Sequence, residues 1–320
     1  MRATAIAQPN IALIKYWGKR DTERNLPAVG SISITLRELY TRMHVEFDAD
    51  AVADSLQVNG APDATMLPRL SACLDRVAGS DRLRARITSE SNFPIAAGLA
   101  SSASAFAALT VAGAHAAQKT LSIATLASLA GQASGSAARS LLGGFVELEN
   151  RGEDIAVSAL CEPAEWPLDV VVAITETGPK AVGSTEAMEI SRHTSPFYQS
   201  WLEQQPHDLD IARDSIARRD FGRLAAIAEH NCLKMHSIMW ASRPPLVYWN
   251  AATMRCLQTV RKLQGSGADV FFTIDAGPQV KAVCLPEHTQ AVAAALRDTP
   301  GVVDIMISGL GSGARLENAR

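Results

Sequence analysis

Residues Pro94–Ser104 read PIAAGLASSAS. They lie between an alternating, β-rich run, Leu83–Thr88 (LRARIT), and an Ala-rich stretch, Ala103–Gln118, whose composition predicts a helix. A strand, a loop of small residues and a helix start in that order form a cradle for an anion. Small residues let the backbone come close to a ligand, and a helix N-terminus offers unpaired N–H groups and a positive dipole end. Ser101 and Ser102 add hydroxyl donors. The pattern is not a Walker loop, because GxxxxGK[ST] is missing. The plainer reading is a small-residue turn with serine N-caps.

The surrounding chain reads as an ordinary globular enzyme. Of 320 residues, 47% are hydrophobic and 20% charged, which excludes a disordered chain. The net charge of −3 gives no general attraction to nucleic acid or to an acidic membrane. The N-terminus MRATAIAQPN lacks the apolar run of a signal peptide, and Ala100–Ala117 reads as a buried helix rather than a membrane span. Five cysteines, Cys73, Cys161, Cys232, Cys256 and Cys284, show no CxxC spacing. Free thiols in a reducing cytoplasm are therefore expected.

Further strands are expected at Met43–Phe47, Phe145–Leu148, Asp269–Thr273, Val280–Leu285 and Val302–Ile307. The continuous apolar run Leu168–Thr175 predicts a central strand. Helices are expected at Ile123–Ala133, Phe197–Gln204, Asp208–Arg218, Phe221–Met239, Pro245–Leu263 and His288–Arg297. Glu176–Ser184, with Gly178, Pro179 and Gly183, reads as an interdomain crossing. The intermixing predicts an α+β fold in two halves, divided as residues 1–180 and 181–320.

Three more segments carry chemistry. Asn10–Lys19 (NIALIKYWGK) places Lys15 inside an apolar run, where a charge needs a partner unless it snorkels from an edge strand. Phe271–Lys281 (FFTIDAGPQVK) ends an apolar strand on Asp275, a turn former or a catalytic carboxylate. Gly131–Gly144 (GQASGSAARSLLGG) offers Ser134, Ser136 and Arg139 as an anion pocket, since arginine grips carboxylate or phosphate with a planar fork. The histidines show no metal spacing; His236, in KMHS, reads as structural or at the edge of a cleft. Trp201, Trp240 and Trp249 read as core.

Taken together, PIAAGLASSAS, NIALIKYWGKRD, SGSAARSLLGG and IDAGPQVK resemble the GHMP kinase superfamily, and within it the diphosphomevalonate decarboxylase family. The resemblance runs from Ala5 to about Ala282. It includes the Asn59–Gly60 turn with Arg69 nine residues on, and Ser184–Ser195 (STEAMEISRHTS). It implies a two-domain GHMP fold with the active site in the interdomain cleft. The implied reaction uses ATP and Mg2+ to phosphorylate the tertiary 3-hydroxyl of mevalonate 5-diphosphate. Loss of phosphate and carbon dioxide then gives isopentenyl diphosphate.

The resemblance also implies roles. Asp275 orients the hydroxyl or takes its proton, Arg139 holds the substrate carboxylate, and Lys15 stabilises the transferring phosphoryl group and lowers the pKa of Asp275. The substrate falls to Tyr16, Trp17, Gly18, Lys19, Arg69, Ser134, Gly135, Ser136, Ala137, Ala138, Arg139 and Thr185, its 5-diphosphate to Tyr16, Trp17, Gly18, Lys19, Arg69, Ser134, Ser136 and Thr185. The ATP phosphates fall to Gly98, Leu99, Ala100, Ser101, Ser102, Ala103 and Ser104. Magnesium ligands are assigned to no named residue. A cytoplasmic homodimer is implied, without nucleic-acid or membrane partners. The alternatives are action on mevalonate 5-phosphate or mevalonate, 3-phosphorylation without decarboxylation, and a GHMP-fold ligand sensor.

Overall fold

The computed structural model describes residues 1–93, 101–178 and 180–317. Gly98, Leu99 and Ala100 of the expected phosphate loop lie outside the described residues. The eight α-helices among those described are α1 (Leu67–Ala78), α2 (Ser101–Ala116), α3 (Ile123–Ala133), α4 (Ser184–Thr194), α5 (Tyr198–Arg218), α6 (Phe221–Trp240), α7 (Ala251–Gly265) and α8 (Thr289–Arg297).

The expected mixture of helix and sheet is present. A six-stranded sheet has the order Arg315–Leu316, Arg2–Ala7, Thr41–Asp48, Arg84–Ser91, Ser55–Val58, Ala61–Pro62. Asn59 and Gly60 both take positive φ and turn its last hairpin, as an Asn-Gly pair does in a type I′ turn. Against this sheet lies α2, whose apolar residues run round the whole helix instead of along one stripe. It is covered on its remaining sides by α1 and α3. Gly113 permits that burial: a Cβ there would sit 2.6 Å from Leu74 of α1.

A four-stranded sheet orders Asp154–Cys161, Phe145–Arg151, Ser31–Thr35 and Asn10–Ile14. Strand Asn10–Ile14 is buried at every position, because α5 and α6 cover it. A third sheet orders Val270–Thr273, Val280–Cys284, Asp169–Ile174 and Asp304–Gly309, with α7 and α8 packed on it. Asp169–Ile174 is central, as its unbroken apolar run predicts. The expected division at residue 180 runs between this strand and its sheet partners.

Two expectations are corrected. Phe197–Gln204 and Asp208–Arg218 form the single helix α5, with Pro206 inside it. Pro206 lies on the exposed face, so water can satisfy the carbonyl it leaves unpaired. Helix α7 begins at Ala251, not Pro245; Asn250 caps it, with Thr253 completing a capping box.

Candidate active site

The site is built around a buried ion triad. Strand Asn10–Ile14 delivers Lys15, whose side chain is only 1% exposed. Its Nζ donates to Ala12 O at 2.8 Å and to Asp275 Oδ1 at 2.7 Å. Asp275 leaves the end of strand Val270–Thr273 in a turn closed by Gly277 N–H on Asp275 O at 2.7 Å. Thr273 pairs across the sheet with Lys281. The chain turning back through Asp275 therefore lays its second oxygen 3.2 Å from Lys281 Nζ.

The electrostatics follow from that placement. Burial alone would raise the Asp275 pKa, but the charges and hydrogen bonds of Lys15 and Lys281 outweigh it. They hold the carboxyl well below the usual range. Burial pulls the Lys281 pKa down, against the opposing pull of Asp275. Asp275 retains 27% side-chain exposure, and it and Lys15 border the cleft. The turn-former and snorkelling readings of Asp275 and Lys15 thus give way to a paired, buried centre.

Arg139 enters from the 3-10 turn Ala137–Leu141 and is 2% exposed. Its Nε donates to Asn10 Oδ1 at 3.2 Å and its Nη1 to Ser31 Oγ at 2.6 Å. Asn10 is fixed in turn by donating to Ser136 O and Ser140 Oγ. Burial lowers the Arg139 pKa to about 10, with Asp275 and Tyr16 opposing, so the group stays cationic at neutral pH. Among the described residues no carboxylate forms an ion pair with it. A buried guanidinium held by neutral oxygens is suited to an anion.

A cleft of about 830 Å³ joins these groups to the expected anion contacts. Tyr16, Trp17, Lys19, Arg69, Ser134, Gly135, Ser136 and Thr185 line it, as do Ser101 and Ser102 at the start of α2. Ser134 Oγ donates to Ser102 Oγ at 3.2 Å, so the two serine segments meet as one wall. Lys19 Nζ donates to Thr185 Oγ1 at 3.2 Å, and burial lowers its pKa. Arg69 lies over Phe106 and donates to Ala133 O. The Tyr16 hydroxyl is buried and has no hydrogen-bond partner among the described residues.

Other expected contacts lie elsewhere. Ala137 and Ala138 are fully buried in the core beneath the turn, as is Ala103 in α2. Ser104 turns away from the cleft to bond Thr41 Oγ1 at 2.8 Å. Gly18 acts through its shape: with φ +99°, it lets Tyr198 pack where a Cβ would be 2.0 Å from the Tyr198 hydroxyl. Trp201 is core and Trp240 is part-exposed. His236 is buried beneath the Asp275 turn, with its pKa lowered to about 3, chiefly by burial.

Three residues of the site were not singled out from sequence. Asn10 and Lys281 stood inside quoted motifs, and only the fold shows their aim. Lys180 lay in a Gly/Pro loop; its Nζ donates to Ser184 Oγ at 2.6 Å and to Ala276 O at 3.2 Å, beside Asp275 on the cleft wall.

The mixed sheet-and-helix fold that brings a serine-lined helix start and a carboxylate between two lysines to one cleft is that of the GHMP kinase class. Residues 7–159 match the Diphosphomevalonate decarboxylase-like N-terminal domain, and residues 170–307 the Mevalonate 5-diphosphate decarboxylase C-terminal domain. The chain belongs to the diphosphomevalonate decarboxylase family. It is 33% identical to the human diphosphomevalonate decarboxylase over 92% of this chain and 80% of the human one. It is 32% identical to a phosphomevalonate decarboxylase of Haloferax volcanii over 95% of both chains. It superposes on the mevalonate diphosphate decarboxylase of Enterococcus faecalis with a TM-score of 0.90 at 32% identity, covering 100% of this chain and 99% of that one. A further solved structure, described as a complex with MVAPP, AMPPCP and magnesium, gives a TM-score of 0.92 at 33% identity over 100% and 99% of the two chains.

Proposed function

We propose that this chain decarboxylates mevalonate 5-diphosphate to isopentenyl diphosphate by way of 3-phosphorylation, consuming ATP. The observation that carries the reading is Arg139, a buried cation without a carboxylate partner among the described residues, on the same cleft as Asp275. It suits a substrate that brings its own carboxylate.

The residues divide the work. Arg139 grips the substrate carboxylate and fixes its angle, so that the carbon–carbon bond can align with the departing 3-phosphate. Asp275 accepts a hydrogen bond from the 3-hydroxyl. Held well below the usual carboxylate range, it is a weak base in the ground state; its first task is to orient. It takes the proton late, as the oxygen acquires its bond to phosphorus. Lys15, and Lys180 on the cleft wall, stabilise charge on the transferring group. Loss of carbon dioxide leaves its electron pair in the new double bond as phosphate departs.

The donors present fit a polyphosphate: the start of α2, the hydroxyls of Ser101 and Ser102, and Lys180. Magnesium supplies charge neutralisation on the phosphates. Among the described residues no group of three His, Cys, Asp or Glu side chains could hold a metal ion. At the far end, Lys19, Arg69, Ser134, Ser136, Thr185 and the Tyr16 hydroxyl suit the 5-diphosphate.

The second reading is mevalonate 5-phosphate as substrate, and the Haloferax volcanii match supports weighing it. A substrate panel of mevalonate, its 5-phosphate and its 5-diphosphate, scored for both phosphate and carbon dioxide, tests both. The diphosphate should give the highest kcat/KM with equal release of the two products. Preference for the monophosphate would replace the substrate, and phosphate without carbon dioxide would replace the reaction. Asp169–Ile174 pairs with the C-terminal sheet, which supports a lobe boundary ahead of this strand. A cytoplasmic homodimer is part of the same proposal; among the described residues no helix is long and apolar enough to cross a membrane.

A further inference from the structure

Lys15 lies just beyond its strand, where the ladder to Ser31–Thr35 ends in a register shift. Its backbone is held by side chains from the helices opposite. The Lys15 N–H donates to Asn231 Oδ1 of α6 at 2.7 Å, and its carbonyl accepts from Gln205 Nε2 of α5 at 2.7 Å. The two amides are joined, Asn231 Nδ2 donating to Gln205 Oε1 at 2.9 Å. The same nitrogen donates to Asp208 Oδ2 at 2.6 Å, and Asp208 pairs with Lys234 at 2.6 Å. Gln205 and Asn231 are fully buried.

Helix α6 also holds the other half of the reacting pair. One residue after Asn231, Cys232 Sγ accepts from Ile274 N–H at 3.2 Å, and His236 Nε2 lies 3.3 Å from Ile274 O. Ile274 immediately precedes Asp275. One rigid helix is thus bonded to the backbones that carry Lys15 and Asp275. A polar network of this size in a helix interface costs more than apolar packing unless every member is satisfied.

We infer that Gln205 and Asn231 are positioning residues, clamping the Lys15 backbone so that its ammonium keeps its place between Asp275 and the transferring phosphoryl group. The inference rests on the reading of Lys15 and Asp275 as the reacting pair. Neither amide touches substrate, so both act through Lys15.

The test uses full-length Asn231→Ser and Gln205→Met, each with kcat, KM for ATP, KM for mevalonate 5-diphosphate, a pH–rate profile and a melting curve. A displacement of about 1 Å at a reacting group can cost about 10²-fold. The expected result is a kcat lowered about 10–100-fold with both KM values within about threefold of wild type. The acid limb of the profile should also move up. Asp275 faces Lys15, Lys281, Lys180 and Arg139, with the His236 ring and the Cys232 thiol uncharged behind it. Moving Lys15 away leaves less to oppose burial. Wild-type kcat, or a lower kcat with the acid limb in place, overturns the inference. So does failure of both variants to fold, which would make the amides structural. Failure of the underlying reading shows separately, as near-normal turnover in Asp275→Asn.

Discussion

Arg139 shows how a single residue can be legible in type and illegible in placement. Its sequence setting, between glycines and serines, suggests an anion pocket. Its burial on Asn10 and Ser31 shows that two of its nitrogens are already spent on orientation. The remaining donors are what a carboxylate can use. Arg139→Lys should therefore lower kcat as well as kcat/KM, because a point charge cannot fix the angle at which carbon dioxide leaves. Two lost charged hydrogen bonds at about 1.5–3 kcal/mol each set the scale of the loss in kcat/KM. Steady-state kinetics with product release measured check it; an unchanged kcat would make Arg139 structural. Lys15 was legible because a charge in an apolar run demands a partner. Ala137 and Ala138 show the opposite case: the motif runs through them, but the fold buries both side chains in the core beside Arg139.

At the scale of elements, α3 was read to the residue from its Ala- and Leu-rich composition, and the strands to within a few positions, because alternation and apolar runs report which faces are buried. The two helices expected on either side of Pro206 are one, since a proline is only as disruptive as the burial of the carbonyl it frees. The serine wall was half legible. Ser101 and Ser102 stood in the quoted loop, but their meeting with Ser134 depends on α2 and α3 lying side by side. Gly135 is the joint of that wall. A Cβ there would fall 2.7 Å from the Tyr16 ring, and Tyr16 adjoins Lys15. Gly135→Ala should cost about 1–3 kcal/mol of stability through overpacking and raise KM for the substrate more than KM for ATP. Thermal melts and the two KM values check this; unchanged values would mean that the ring moves freely.

At the scale of the molecule, the triad couples two ends of the chain: Lys15 just after an N-terminal strand, Asp275 in a turn between two strands of the last sheet and Lys281 on the second of them. Sequence could pair Lys15 with Asp275 through the family resemblance, but the second lysine makes this a question of stability too. Asp275→Asn keeps the shape and should lower kcat about 10²–10⁴-fold. It also leaves two buried ammonium groups facing each other without a counter-charge. Removing one partner of a buried pair costs about 3–5 kcal/mol, and less where the group borders solvent, as Asp275 does. The sign with pH is fixed. In wild type the depressed Asp275 pKa contributes stability that is present above its unfolded value near 3.9 and lost only in acid. In the variant the dominant groups are lysines, with Lys281 already lowered by burial. With the Asp275 charge gone nothing opposes burial at Lys281, so its folded pKa falls further and the unfolded chain binds more protons. Stability should then climb with pH from neutrality towards about 10, more steeply than in wild type. Denaturant titrations at several pH values check the slope. Asp275→Asn/Lys281→Met, which removes one of the two cations, should recover much of the lost stability and flatten the climb while remaining inactive. Parallel pH curves for wild type and Asp275→Asn would show that the triad serves the reaction without holding the two ends together.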